Sequence, residues 1–177
     1  PEKIYISRSG LFRKRGRFLM EDYIEAKMEA EGYTVFHPQD HDLETQLSWY
    51  KGASAIVSTD NSALHLAAFV INPHCKIGIL LRRPGAIFAD FEMQLKWFAG
   101  VQPDVIDACT RFWFRADEKV QYNEVYALID FEKTAQALKA AGIIENANWV
   151  NPSIVDVDRA IEKLEADTET RFDEIFL

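Results

Sequence analysis

The chain has 177 residues, 48% of them hydrophobic and 27% charged, which fits one globular domain with a sizeable core. Its formal charge of -8 argues against general nucleic-acid binding, because that function needs a basic face. No apolar run approaches the roughly 20 residues of a membrane helix. We therefore expect a cytoplasmic protein, and we expect Cys75 and Cys109 to be reduced, buried thiols rather than a disulfide.

Apolar periodicity predicts strands that alternate with helices along the whole chain. The predicted strands cover 4–7, 33–37, 53–57, 76–81, 105–109 and 126–129. Helical spacing follows at 19–28, 42–52, 62–71, 88–98, 131–141 and from about Val157 onward. This order indicates an α/β fold, a Rossmann-like, mostly parallel sheet with helices on both faces.

The start of the sequence suggests that the domain has a neighbour. The chain begins with Pro1 and enters a strand almost at once, so we expect a single domain over residues 1–177 that is a piece of a longer, two-lobed protein. Residues 156–177 carry eight acidic and three basic side chains. This segment is either a solvated helix face or a helix that reaches a missing partner domain.

The turn after the third predicted strand is a candidate anion site. Ser58-Thr59-Asp60-Asn61-Ser62 lies between an apolar strand and an apolar helix. The first backbone N–H groups of a helix have no partner within the helix and attract phosphates. We expect the amides of residues 61–63 and the Ser62 hydroxyl to bind such a group. The alternative is ordinary helix capping by Asp60 or Thr59.

A basic segment follows the first predicted strand. Residues 8–17 hold five cations and no acid (Arg8, Arg13, Lys14, Arg15 and Arg17), and a bound diphosphate would explain such an island on an acidic chain. We favour Arg8, Arg15 and Arg17 as its ligands; the alternatives are a salt bridge at the sheet rim and solvated charge. Because carboxyl ends of parallel strands share one rim, this segment and the Asp60–His65 turn should converge.

Other polar and aromatic residues have weaker assignments. Glu44 and Gln46 either hold a ribose or brace the loops. Asp60 either caps a helix or bonds a sugar hydroxyl. His65 either reaches the ligand or packs against neighbouring side chains. By spacing, Phe88, Phe91 and Phe98 are core residues. Residues 112–114 (Phe-Trp-Phe) either pack or stack on a base or sugar.

Common catalytic motifs are missing from the sequence. It has no Gly-x-Gly-x-x-Gly, no Walker loop and no Gly-x-Ser-x-Gly, which disfavours dinucleotide enzymes, nucleotide hydrolases and serine hydrolases. Pro38 separates His37 from His41, so these two histidines do not share a helical face and we expect no metal site.

Three motifs in order resemble the catalytic domain of glycosyltransferase family 61, whose bacterial members are often labelled capsular polysaccharide biosynthesis proteins. The first motif is Ser7-Arg8, followed by the basic segment and by Met20-Glu21, where the family has Asn-Glu. The second is Glu44-Thr45-Gln46, and the third is Asn61-Ser62-Ala63-Leu64-His65. Many members have His-Gly where this chain has Asp60-Asn61. The resemblance runs from about Lys3 to Leu81.

The resemblance implies a two-lobed GT-B architecture in which this chain is the C-terminal, donor-binding lobe. The reaction would be inverting transfer of a sugar from a nucleotide sugar to a carbohydrate acceptor, without metal or other cofactor. Diphosphate ligands would be Arg8, Arg15, Arg17, Asn61, Ser62 and Ala63, and sugar or ribose ligands Glu44, Gln46, Asp60 and His65. The general base stays unassigned, with His65 a candidate and the missing N-terminal lobe or a partner subunit its expected source.

Two other functions remain open from the sequence. A degenerate nucleotide- or sugar-binding module would keep the fold without turnover. A phosphate-ester hydrolase or receiver-like regulatory domain ranks last, because receivers need acids at the end of the first strand, where Ser7 and Arg8 stand.

Overall fold

A computed structural model describes residues 1–11, 15–83, 88–116 and 124–175. Its main sheet has five parallel strands in the order β2-β1-β3-β4-β5. They are β1 (Lys3–Ile6), β2 (Thr34–Phe36), β3 (Ala55–Thr59), β4 (Lys76–Leu80) and β5 (Asp104–Ile106). The prediction of a parallel sheet in an α/β fold is confirmed.

Six helices accompany the strands within the described residues. They are α1 (Glu21–Ala30), α2 (Leu43–Gly52), α3 (Ala63–Ala67), α4 (Phe88–Gln94), α5 (Phe131–Ala140) and α6 (Ile154–Thr168), with a 3-10 turn at Pro38–Asp40 and a π-helical turn at Leu95–Ala99. Short-range capping defines several starts: Asp42 accepts from the Thr45 amide and Asp130 from the Lys133 amide. These local bonds explain why the predicted starts of α2 and α5 are close to the observed ones.

A second sheet corrects the prediction. It consists of β6 (Cys109–Arg115), β7 (Tyr126–Ile129) and β8 (Phe172–Ile175), antiparallel in the order β7-β6-β8. The predicted strand 105–109 therefore spans the end of β5 and the start of β6, and 126–129 is not part of the main sheet. Strand β8 was not predicted, because a short segment at the end of the chain has no local signal for its distant partner.

The core lies on both faces of the main sheet. Ile4, Ile6 and Ile56 point to one cluster, which also holds buried residues of α2, α3 and α4. Tyr5 and Val57 point to the other, which extends through α1, α5 and α6 to the second sheet. Alternation along each strand sends neighbours to opposite faces, so the prediction of helices on both faces is confirmed.

The aromatic residues follow the predicted packing with one exception. Phe91 is buried, and Trp113 and Phe114 are buried in β6, as expected for packing residues. Phe98 is 57% exposed and contacts the ring of Phe69 at 4.7 Å, so its assignment to the core is wrong. The π-helical turn has more residues per turn than an α-helix, which moves Phe98 out of the 3.6-residue register.

Both cysteines are free thiols, with Cys75 buried and Cys109 partly buried. Within the described ranges, no helix combines the length and the apolar character that crossing a bilayer requires.

The strand order creates one topological switch point. The connection from β1 leads to β2 on one side, whereas β3 pairs with β1 on the other side. In open α/β sheets, ligands bind in the crevice at the carboxyl ends of two such strands. The segments that follow β1 and β3 are therefore where a site is expected.

Candidate functional site

A cleft of about 270 Å³ lies at the carboxyl ends of β1 and β3. Its walls come from the segment after β1, the turn after β3 and the start of α2 with the preceding 3-10 turn. The polar lining residues are Ser7, Arg8, Gln39, Gln46, Asn61 and Ser62. The structure thus brings Arg8 of the basic segment and the small-residue turn to one cavity.

Arg8 is held in this cleft by its backbone and its side chain. Its amide donates to Glu21 Oε1 (2.8 Å), and its Nε donates to the Gly16 carbonyl (2.8 Å). Burial lowers the pKa of Arg8, an effect opposed by Glu21 and Asp60 and reinforced by Arg83. Arg8 is therefore a partly desolvated cation, and an anion beside it would be attracted more strongly than in water.

Two arginines share the carboxylate of Asp60 beneath the turn. Arg83 Nε donates to Asp60 Oδ2, and the Arg82 backbone amide donates to Asp60 Oδ1 (3.3 Å). The Arg82 guanidinium is 1% exposed, with Nε 3.8 Å from Asp60 Oδ1. Burial lowers the pKa of Arg82 to about 10, and Asp60 opposes this. One carboxylate therefore faces two cations here, with Arg8 close enough to influence both.

Asn61 organises the turn after β3. Its Nδ2 donates to Ser58 Oγ (2.8 Å) and Thr59 Oγ1 (3.1 Å), and its Oδ1 accepts from the Ala63 amide (2.8 Å). The predicted capping by Asp60 or Thr59 is wrong: Ser62 is the N-cap of α3, without a side-chain cap hydrogen bond, and the amide of Ala63 donates to Asn61 instead. The helix is also shorter than the predicted 62–71. Because the Ala63 amide donates to the Asn61 side chain and the Leu64 and His65 amides donate to the Asn61 and Ser62 carbonyls, fewer bare amides are left for an anion than expected.

Several predicted ligands do not line the cleft. Arg15 and Glu44 are exposed. Arg17 donates to the Ser9 carbonyl and lies over the Tyr126 ring at 5.9 Å, facing a second cavity. His65 Nδ1 pairs with Gln94 Oε1, and its ring lies 4.7 Å from that of Phe91. Arg13 and Lys14 lie outside the described residues.

His65 therefore takes the packed arrangement that the sequence left open. Gln46 lines the cleft but also donates to the Pro38 and His41 carbonyls (2.8 and 3.0 Å). Its amide group thus braces the 3-10 turn, the second of the two roles predicted for it.

Glu21 is a buried carboxyl directly behind Arg8. Its Oε1 accepts from the Arg8 amide and from the hydroxyl of Ser7 (3.3 Å), whereas Oε2 is buried without a hydrogen-bond partner among the described residues. Burial raises the pKa of Glu21, the Arg8 amide opposes this, and Glu25 adds to it. The side chain anchors the β1 loop and does so at an electrostatic cost.

Met20, immediately before α1, has a left-handed backbone (φ 61°, ψ 39°). Few residues adopt this conformation easily, and Asn is one of them. An Asn at position 20 would therefore adopt the observed backbone more easily than Met20 does, and the neighbouring Glu21 holds the Arg8 loop.

Sequence reasoning missed the arginine pair. Arg82 and Arg83 come directly after β4, on the same rim as the segments after β1 and β3. The signal was an Arg-Arg pair at the end of a predicted strand, and it was available from the sequence. Among the described residues, no group of three or more His, Cys, Asp or Glu side chains could hold a metal ion.

Comparison with known proteins agrees with this location. The model of a family described as Glycosyltransferase 61 matches residues 1–78, which is less than half of the chain. The match covers all described residues that line the cleft, while Arg82, Arg83 and the second sheet lie beyond it. It supports the resemblance to family 61 and, in general terms, glycosyl transfer. No curated protein matches the chain.

Proposed function

We propose that this chain is the donor-binding lobe of an inverting glycosyltransferase with GT-B architecture. It would transfer a sugar from a nucleotide sugar to a carbohydrate acceptor in polysaccharide biosynthesis. The observation that carries the proposal is the coincidence of the family match with the cleft: the residues that line it, within the described ranges, all lie in 1–78.

The chemistry of such a reaction fits the charges around the cleft. Breaking the bond between sugar and diphosphate places negative charge on the leaving group, and fixed cations stabilise that charge. Arg8 lines the cleft, and Arg82 and Arg83 lie behind it around Asp60. In this proposal the arginines take the role that a metal ion has in other transferases, and Ser62 adds a hydroxyl donor.

The proposal leaves the general base to another part of the protein. An acceptor hydroxyl must lose its proton to a general base, and His65, the earlier candidate, is paired with Gln94. We therefore assign the base to a further lobe or a partner subunit, which would close over the cleft. A cytoplasmic location remains a prediction.

The first test is ligand-dependent stability. We expect UDP, GDP, CDP or CMP to raise Tm, and at a concentration of about 100 times Kd the gain would be about 2.7 kcal/mol. The bare nucleosides should have little effect, because they lack the phosphates. Arg8→Gln should weaken binding by about tenfold or more, whereas Arg15→Gln, which changes an exposed arginine of the same segment, should not.

A result with no shift for any of the nucleotides would contradict the proposal. So would equal affinities of the Arg8→Gln and Arg15→Gln variants, since the cleft would then not be the binding site.

A nucleotide- or sugar-binding module without turnover is the second candidate. Its support is the pair Asp60-Asn61, at positions where many family members have His-Gly. The carboxylate of Asp60 pairs with two arginines, and the side chain of Asn61 binds the backbone of its own turn. Both side chains are therefore engaged in structural contacts and do not serve as catalytic groups. A module would bind nucleotides as above but release no sugar from a panel of nucleotide sugars, even with its partner lobe present.

A further inference from the structure

A second and larger cavity lies beside the cleft. Its volume is about 490 Å³, within the range of small-molecule sites. One wall is a face of α6, with Asp156, Arg159, Ala160, Lys163, Leu164 and Asp167 at helical spacing. The opposite wall is the segment 17–22, and Tyr126 of β7 also contributes. The acidic end of the chain, left open by the sequence, thus supplies one side of a cavity.

The two cavities share one piece of backbone. Ser9 lines the larger cavity, whereas Ser7 and Arg8 line the cleft. Arg17 Nη1 donates to the Ser9 carbonyl and fixes this wall from the larger cavity's side. A molecule in the larger cavity would therefore lie next to the segment that carries Arg8.

The charges of the larger cavity differ from those of the cleft. Arg8 is the one charged side chain among the described cleft-lining residues. In the part of the chain that the structure describes, the larger cavity mixes four acidic with three basic residues. Two pairs among them neutralise each other: Arg159–Asp156 at 3.8 Å and Lys163–Asp167 at 2.7 Å. Such a lining offers many hydrogen-bond donors and acceptors but little net attraction for an anion.

The same cavity has apolar surface for ring faces. Phe18 and Leu19 before α1 and Leu164 of α6 are buried core residues that back the cavity. Met20 and Ala160 also line it and are only partly buried, so their apolar side chains can contact a ring face. A ligand that presents hydroxyls on its rim and C–H groups on its faces would match both features, and a neutral sugar has this chemistry.

We infer that the cavity between α6 and residues 17–22 binds the carbohydrate acceptor, a neutral oligosaccharide, beside the donor cleft. The inference rests on the proposed function, and it adds that the acceptor is held by this lobe. The acceptor would then lie on one side of the segment that carries Arg8 and Ser9, and the donor on the other side.

The test maps binding on the full chain by NMR, with backbone amides as reporters. The probes are maltotetraose, cellotetraose, xylotetraose and chitotetraose, titrated one at a time, and UDP, GDP, CDP and CMP separately. We expect at least one oligosaccharide to shift amides of 17–22 and 156–167. Ala160→Phe, which fills the cavity, should weaken that binding by about tenfold or more, and Ala166→Phe, the same change at an exposed position of α6, by less than about twofold.

Lys163→Ala keeps the result interpretable if Ala160→Phe does not fold, because Lys163 is exposed and its loss removes one donor of the cavity. The inference is overturned if all four oligosaccharides fail to bind, if the shifts lie elsewhere, or if these two cavity variants bind like wild type. Nucleotide binding in the cleft without oligosaccharide binding would retain the proposed donor lobe and reject this site. The opposite pattern would retain the site and reject the donor lobe.

Discussion

Asp60 is the residue on which the electrostatics of the rim depend. Its side chain is 2% exposed and faces two arginines, of which Arg82 is equally buried. A buried ion pair adds little net stability when intact, but removing one partner leaves an uncompensated charge in a low-dielectric environment. Asp60 therefore compensates the charges of the two arginines at the rim when no anionic ligand is bound.

Asp60→Asn should lower the free energy of unfolding by about 3–5 kcal/mol, because it strands the charges of two arginines. Urea denaturation measures this. The matched control is Asp173→Asn, which breaks an exposed pair with Arg171 at 3.7 Å and should cost less than about 1 kcal/mol. Equal losses in both variants would contradict the role assigned to Asp60.

Glu21 should make the protein less stable as the pH rises. Burial raises the folded-state pKa of Glu21, so the folded chain holds this proton more tightly than the unfolded chain. The corresponding stability is present below the ordinary glutamate pKa of about 4.3 and is lost as the pH rises through the folded pKa. In Glu21→Gln, the unfolding free energy relative to wild type should therefore increase with pH.

Glu31→Gln provides a control of opposite sign. Although burial raises its pKa, hydrogen bonds from the Glu145 and Asn146 amides lower the pKa of Glu31 overall. Glu31 therefore adds to the stability of the folded chain as the pH rises. The unfolding free energy of Glu31→Gln relative to wild type should decrease with increasing pH. Parallel pH profiles of the two variants would refute the assignment.

At the scale of elements, the β1 loop is held by close backbone packing against the segment before β7. A Cβ on Gly16 would lie 2.1 Å from the Val125 carbonyl oxygen. That oxygen accepts from Arg82 Nη1, and the Gly16 carbonyl accepts from Arg8 Nε. One contact between two loops therefore positions both arginines.

Gly16→Ala should force the loops apart and destabilise the fold by about 1–3 kcal/mol or more. It should also weaken nucleotide binding, since Arg8 loses its position. Gly52→Ala, where no atom lies within 4 Å of the new Cβ, should leave stability unchanged or raise it by up to about 1 kcal/mol. Circular dichroism melts and nucleotide titrations of both variants measure these effects, and normal affinity in Gly16→Ala would argue against the coupling.

The start of α1 contains correctable strain. Met20 has φ 61°, which costs a non-glycine, non-asparagine residue of order 1 kcal/mol. Met20→Asn should therefore raise the free energy of unfolding by about 0.5–1 kcal/mol. The control Met93→Asn, at an exposed position in α4, should lower it slightly through helix propensity. Destabilisation by Met20→Asn would mean that its packing outweighs the strain.

At the scale of the molecule, the two sheets share one core. The cluster on one face of the main sheet continues into β6, β7 and β8, and Phe172 of β8 contacts the Tyr126 ring at 5.3 Å. The second sheet is therefore not an independent unit, because its apolar face is covered by the same residues that cover the first sheet.

Phe172→Ala should destabilise the whole chain by about 3–5 kcal/mol in one transition. Trp49 packs against the opposite cluster and Trp113 lies in β6, so tryptophan fluorescence and circular dichroism should give the same, lowered urea midpoint. Phe69→Ala, at a 64% exposed position, is the control and should change little. Separate transitions for the two probes would show that the sheets unfold independently.

Local signals determined much of this protein. The caps at Asp42 and Asp130, the strand periods of β1 to β4 and the polar segments after β1 and β3 act within a few residues, so they can be read directly from the sequence. Because parallel strands share a rim, the same signals also predicted that Arg8 and Ser62 would meet. Arg82 and Arg83 follow the same rule, and the sequence contained that information too.

Tertiary structure alone decided the remaining features. Antiparallel pairing of β6 with β8 joins residues about sixty positions apart. No local sequence pattern predicts which strand another strand will pair with over such a separation. The π-helical turn that exposes Phe98, the turn of Arg17 away from the cleft and the pairing of His65 with Gln94 all depend on which side chains arrive from elsewhere. The reason is physical: capping and periodicity are short-range, whereas the orientation of a long polar side chain follows the nearest available partner in space.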